Sequence, residues 1–294
     1  MTKVSIIKHS VNSGNEIVTF EIETHRYIWS EFMTHRLFSR NAASSRAIPI
    51  KKIMDMVEES PAMPTHWGIN QSGMQAKAEH SDTVLCEDAW KIAARQAVSS
   101  MKSLNDMGLH KQIVNRISEP FQMIKAVVTA TEWDNFFYLR DHPDAQPEIA
   151  LLASMMWDEL QKSTPDELVS NDWHLPYVSY TRDDEGFQVF CVNKDTKITK
   201  EDAIKVSASC CAQVSYRVLD DSLEKAIKIY DQLISSKPAH ASPMEHQAMA
   251  PSNCHWINQF THIDRDGCNW SGNFKNWVQY RQLIPGNVCK SYTK

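Results

Sequence analysis

The stretch Thr34-His35-Arg36-Leu37-Phe38-Ser39-Arg40-Asn41-Ala42-Ala43-Ser44-Ser45-Arg46, closed by Pro49, concentrates more chemistry than any other part of the chain. Its guanidinium groups offer planar forks of donors that match phosphate oxygens, and its hydroxyls and amide can orient a polar ligand. It contains no glycine, which excludes a Walker-type loop, where the backbone itself must approach the phosphates. Side chains would do the binding. A second stretch, His240-Ala241-Ser242-Pro243-Met244-Glu245-His246, holds two histidines and a carboxylate. Its spacing fits neither His-Glu-x-x-His nor the reverse, so no metal site is expected, and a buried histidine capping a helix is the structural alternative. Cys254-His255, His262, Cys268 and Cys289 are too far apart for a zinc knuckle. The cluster Trp277, Gln279-Tyr280-Arg281 is left with two readings, a helix packing face or an extra nucleotide contact. No cysteine sits at a helix start beside a cation, so a thiolate nucleophile is not expected.

The elements that must position these groups can be read from periodicity. Residues 15–24 alternate, with Val18, Phe20 and Ile22 on one face and Thr19, Glu21 and Glu23 on the other, which predicts a half-buried strand feeding the first stretch. Pro49 suits the first turn of a helix to about Glu59. Residues 60–80 read as loop. From Asp82, a cap, apolar residues recur at three or four to Met107, with Gly108 beyond the end. A long helical pattern is expected from Phe121 to Leu139, and another from Pro147 to Lys162. Asn171 to Thr181 reads as irregular and Phe187 to Val192 as a strand. Helices follow over 200–212 and 222–235, the second opened by a capping-box spacing, Asp221 to Glu224.

The totals set bounds. A chain of 294 residues, 42% apolar and 23% charged, is long enough for a sizeable core. A net charge of -5 disfavours wholesale nucleic-acid binding, whereas a local basic pocket suits a small anion. No apolar run reaches bilayer-spanning length and the N-terminus has no secretory pattern. Seven cysteines without framework spacing fit reduced thiols, hence a cytoplasmic setting.

The first stretch resembles the signature of the flavin-dependent thymidylate synthases, Arg-His-Arg-x-x-Ser-x-Asn-x-x-Ser-x-Arg. His35, Arg36, Ser39, Asn41, Ser44 and Arg46 stand at its spacing, and Thr34 replaces its first Arg. Arg116 with Pro120, Asn135, Leu139-Arg140, and Ala145-Gln146 with Glu148-Ile149 are similar to features that follow in the family. Cys211-Ala212-Gln213-Val214-Ser215-Tyr216, a helix, and then the stretch 240–246 resemble two further family segments, Ala-Arg-Val-Ser-Tyr and His-x-Ser/Thr-Pro-x-Glu-His. In the family these come before the signature; here they come after it. The resemblance therefore implies a circular permutation, which is feasible where termini lie close together on the surface.

What the resemblance implies is an α/β (α+β) fold, a mixed sheet with packed helices, forming one catalytic domain over 1–294 with 163–198 and 251–294 as possible extra elements. The implied reaction is reductive methylation of dUMP to dTMP with FAD, NADPH and methylenetetrahydrofolate, carried out by a homotetramer without nucleic-acid or membrane partners. Glu31, Ser44, Ser45, Arg46, Arg116 and Arg140 would hold the nucleotide, with Ser44 (an orienting hydroxyl) and Arg140 at the reacting end. Thr34, His35, Arg36, Ser39, Asn41, Asn135, His240, Ser242 and Glu245 would surround FAD. In the family the two groups come from different subunits.

There are departures. Ala42 stands where the family has Glu, and Thr129 and Thr131 stand where an Asn-x-Arg pair helps hold the flavin. Glu31 replaces Gln, leaving an acceptor only. An acceptor suits an exocyclic amine, so methylation or hydroxymethylation of dCMP is the alternative, and a silent flavin- or nucleotide-binding homologue is a third reading.

Overall fold

The computed structural model describes residues 1–192, 196–214, 219–236, 240–252 and 259–291. Strands β1 (Lys3–Asn12) and β2 (Asn15–His25) form an antiparallel hairpin. Its two turn residues, Ser13 and Gly14, both have positive φ, the geometry that matches the twist of the flanking strands. β1 escaped sequence reading because its register shifts between Ile6 and Lys8, which breaks the two-residue alternation. After β2 come the short α1 (Trp29–Phe32) and β3 (Ser39–Ala42), so the signature itself supplies a strand. Then follow α2 (Ile50–Glu59), α3 (Thr83–Asp106) and α4 (Lys111–Val114). α3 is capped as expected, Asp82 Oδ1 accepting from the Leu85 amide at 2.9 Å.

The helix expected from Phe121 to Leu139 is a correction. That segment is β4 (Met123–Ala130), a turn, and then α5 (Asp134–Arg140). β4 lies between β3 and β2, and Ala126, Val127, Val128, Thr129 and Ala130 are all buried. A strand covered on both faces shows no alternation, and its apolar run merges with the helical pattern of α5. α6 (Pro147–Lys162) and β5 (Asp166–Glu167) complete a five-stranded sheet of order β3-β4-β2-β1-β5, antiparallel except for β5 on β1. One face packs Val18, Phe20, Ile22, Val128 and Ala130 against Phe136, Phe137, Ile149, Leu152 and Met156 of α5 and α6. Each of these side chains larger than alanine contributes about 1.5–3 kcal/mol of burial energy.

The rest of the chain covers the opposite face. The segment expected to be irregular, Asn171 to Thr181, holds β6 (Trp173–His174) and most of β7 (Ser179–Arg182). β8 (Gln188–Val192) and β9 (Thr196–Ile198) extend β7 into a small sheet. Helices α7 (Lys200–Ala212) and α8 (Leu223–Ser235) follow. The expected capping box is replaced: Ser222 is the cap, without a side-chain bond, and its amide donates to Asp220 Oδ1. β10 (Ala248–Met249), β11 (His262–Ile263), β12 (Asn269–Ser271), β13 (Phe274–Lys275), β14 (Val278–Gln279) and α9 (Tyr280–Leu283) close the chain. Ile17 of β2 packs with Ala248, Ala250, Phe274 and Trp277, and Val127 of β4 with Cys211 and Val214. Trp277 is thus core. Among the described residues no helix is long and apolar enough to cross a membrane.

Candidate active site

The signature is divided by the fold into three places. At its start, α1 and the end of α5 meet. Arg140 Nε donates to His35 Nε2 (3.0 Å), its Nη2 reaches Thr34 Oγ1 (3.4 Å), and its Nη1 lies 3.6 Å from Glu31 Oε2. Burial, together with Arg140 and then Arg40, lowers His35 to about 4. The ring is therefore neutral near pH 7 and, accepting at Nε2, carries its proton on Nδ1. Phe38 and Phe136 pack on its face and edge. Thr34, where the family has Arg, accepts from Arg140, a position at which a second guanidinium would meet like charge. The result is a fixed cation beside a carboxylate and a neutral imidazole.

The middle of the signature is β3, and it rests on the second motif. Glu245 closes a turn of 3-10 helix, Ser242–Glu245, that packs on β3. Ser39 is fully buried, its hydroxyl donating to Asn273 Oδ1 (3.2 Å) and accepting from Gln279 Nε2 (3.1 Å). Gln279 Nε2 also reaches the Glu245 carbonyl (3.1 Å), and Arg281 pairs with the Glu245 carboxylate. Burial raises Glu245, an effect opposed by Arg281 and Arg40. Asn41 Nδ2 donates to the Cys211 carbonyl (3.0 Å), which fixes β3 to the end of α7. Sequence reasoning named Gln279 and Arg281 without a role and missed Asn273. The signal was Gly272: its φ is +62°, and a Cβ there would stand 2.2 Å from Gln279 Oε1.

The signature ends in a turn, Ser45–Ala47, held by polar contacts from α4 and its sequel. Ser45 is buried and donates to Glu119 Oε1 (2.7 Å), while Asn115 Nδ2 donates to the carbonyls of Ser45 (2.8 Å) and Ile48 (2.9 Å). Arg116 lies 3.3 Å from Glu119, and Arg26 Nη2 donates to the Ala43 carbonyl (3.1 Å). Ser44 and Arg46 are exposed, and among the described residues their side chains have no partner. Two exposed guanidiniums, Arg46 and Arg116, and one exposed hydroxyl, Ser44, thus flank this turn. Among the described residues no hydrogen bond or ion pair joins them to the Glu31–Thr34–His35–Arg140 cluster.

Arg36, Asn135, His240 and Ser242 are exposed with unengaged side chains among the described residues. Ser215 and Tyr216, and the Cys254-His255 pair, lie outside the described residues. Thr129 and Thr131 are used inside the fold. Thr131 Oγ1 accepts from the Lys275 amide (2.9 Å). Thr129 Oγ1 joins Thr19 Oγ1 (2.7 Å) and His246 Nδ1 (2.9 Å), and Thr19 continues to His174 Nε2 (2.9 Å). Burial lowers His246 to about 3 and His174 well below its usual range, so both are neutral. His246 of the second motif is therefore structural.

Among solved structures, the chain is similar to the UMP/dUMP methylase PolB from Streptomyces cacaoi bound with 5-Br dUMP, at 15% identity and a TM-score of 0.45, covering 55% of this chain and 90% of that one. The same enzyme bound with 5-Br UMP gives 15% identity and a TM-score of 0.44, covering 55% and 89%. No curated protein sequence matches this chain. The family model described as Thymidylate synthase complementing protein matches residues 5–166, from within β1 to the first residue of β5, and includes the whole signature. With more than half of its length matched, the chain belongs to the flavin-dependent thymidylate synthase family.

Proposed function

We propose that this protein methylates C5 of a pyrimidine deoxynucleotide, dUMP in the first instance, with FAD, NADPH and methylenetetrahydrofolate, and that the second motif makes it a circularly permuted member of its family working as a homotetramer. The observation that carries the reading is the packing of the two motifs, some 200 residues apart in sequence, with β3 lying on Ser242–Glu245. The family match covers only the first motif, so its meeting with the second is independent support.

The residues fit a flavin in part. Arg36, His240 and Ser242 are unengaged donors and Glu245 an acceptor, a set suited to pyrophosphate and ribose hydroxyls, and these would hold it. Ser39 and Asn41 would serve from below, by fixing β3. Thr129 and Thr131 contribute nothing to it, being committed within the fold. When bound, FAD supplies the hydride and the relay of the one-carbon unit. The protein's part is placement. Arg46 and Arg116 bind the phosphate, Ser44 orients the nucleotide, and Arg140, held by Glu31 and His35, stabilises negative charge that develops on the pyrimidine carbonyl edge. Neutral His35 adds no competing charge to Arg140.

The test is product mass after incubation with FAD, NADPH, methylenetetrahydrofolate and equimolar dUMP and dCMP. A gain of CH₂ on dUMP alone is expected. A gain on dCMP, or of CH₂O on either, would assign the specificity to Glu31, and Glu31→Gln should then restore dUMP. Flavin bound without any product would refute the methylase reading.

A further inference from the structure

A cavity of about 420 Å³ opens between the end of the signature and helices α7 and α8, within the size range of small-ligand sites. One wall carries Ser44 among three small side chains, Ala42, Ala43 and Ala47; the other carries Val214 and Ile229 with two polar residues, Gln213 and Lys225. Small side chains facing aliphatic ones leave a gap suited to a flat ring. We propose that Gln213 and Lys225 determine nucleotide specificity here, Gln213 accepting from the ring N–H of the base and Lys225 joining Arg46 and Arg116 on the phosphate. The inference rests on the reading of the chain as a pyrimidine nucleotide methylase and extends it to residues outside the signature.

Both side chains are set by one residue. Asp220 accepts from Gln213 Nε2 through its carbonyl (2.7 Å) and pairs with Lys225 Nζ through its carboxylate (3.3 Å). Gln213 Nε2 also donates to Ser209 Oγ (3.1 Å), so both amide hydrogens are committed. A backbone carbonyl can only accept, which fixes the amide's orientation and leaves Oε1 as the group available to a ligand. An acceptor selects a base edge that donates, as uracil does at N3. Lys225 has three donors and one ionic partner, so two remain for phosphate oxygens.

The experiment is calorimetric titration of the full chain, loaded with FAD, with dUMP and with its phosphate-free nucleoside deoxyuridine. Lys225→Met should weaken dUMP about tenfold and leave deoxyuridine unchanged, as expected for one charge-assisted contact. Lys225→Arg should recover most of the loss, and Gln213→Leu should weaken both ligands by the same factor. Unfolding of a Lys225 variant would lower deoxyuridine binding as well, which separates misfolding from loss of the phosphate contact, and for Gln213→Leu an unchanged urea midpoint makes the same distinction. If wild type binds dUMP and Lys225→Met and Gln213→Leu bind it equally well, the assignment is overturned and the methylase reading stands. Weakened methylenetetrahydrofolate binding with dUMP unaffected also overturns it, by giving the cavity to the other co-substrate. If wild type binds neither dUMP nor deoxyuridine, the reading falls and the assignment with it.

Discussion

Ser45 and Arg46 are neighbours with opposite fates, and the difference decides what each can do. Ser45 turns inward to Glu119 and fixes the turn, whereas Arg46 turns outward with no partner among the described residues. An unpaired, exposed guanidinium is free to bind an anion and contributes little to folding. Arg46→Ala should therefore leave stability and flavin content unchanged and lower kcat/KM for the nucleotide roughly 10- to 150-fold, the equivalent of about 1.5–3 kcal/mol. Steady-state kinetics alongside flavin absorbance would check this; loss of flavin would move Arg46 out of the nucleotide site. The sequence placed His35, Arg36, Ser39, Asn41, Ser44 and Arg46 in one signature. It could not say that Ser39 is buried and Ser44 exposed, because burial depends on which distant segment covers each.

At the scale of elements, β2 and β4 join the two halves of the chain. Thr19 and Thr129, paired across these strands, put their hydroxyls on the face opposite α5 and α6, where His174 and His246 receive them. Each hydroxyl has two partners, so each donates once and accepts once, and the chain of contacts fixes both imidazole tautomers together. Thr129→Val preserves shape but leaves Thr19 and His246 each short of a partner in a dry interior. A loss of about 1–3 kcal/mol is expected in urea unfolding, with Thr129→Ser close to wild type. Equal stability of the valine variant would show that the hydroxyl is dispensable. A resemblance treats Thr129 and Thr131 as gaps in a flavin site, whereas the fold gives them the work of attaching the C-terminal part.

For the whole molecule, the buried histidines set a pH dependence. His35 is lowered to about 4, His246 to about 3, and His174 well below its ordinary value, while each would titrate near 6.5 in the unfolded chain. Below about 6.5 the unfolded chain takes up protons that the folded one refuses, so stability rises with pH through this range. Their contribution is fully present above about pH 6.5 and is lost as pH falls toward 3–4. The urea midpoint should drop clearly between about pH 7 and about pH 5, before most carboxylates titrate. An unchanged midpoint would mean that these rings take up protons in the fold as readily as in the unfolded chain. The same burial keeps His35 neutral, so activity is not expected to fall through protonation of this ring near neutral pH.

By itself the sequence determined the helices whose apolar faces repeat at three or four, at 83–106, 147–162, 200–212 and 223–235, because one-sided burial writes its period into the chain. It also determined the family, since the signature's residue types and spacing are local. Only the tertiary structure decided that Met123 to Ala130 is strand, because a segment covered on both faces carries no period. Only the tertiary structure brought Gln279 and the Ser242–Glu245 turn onto β3 and opened the Gln213–Lys225 cavity beside Ser44. Those contacts join residues some 170–240 positions apart, and no local pattern encodes which distant segment a strand will meet.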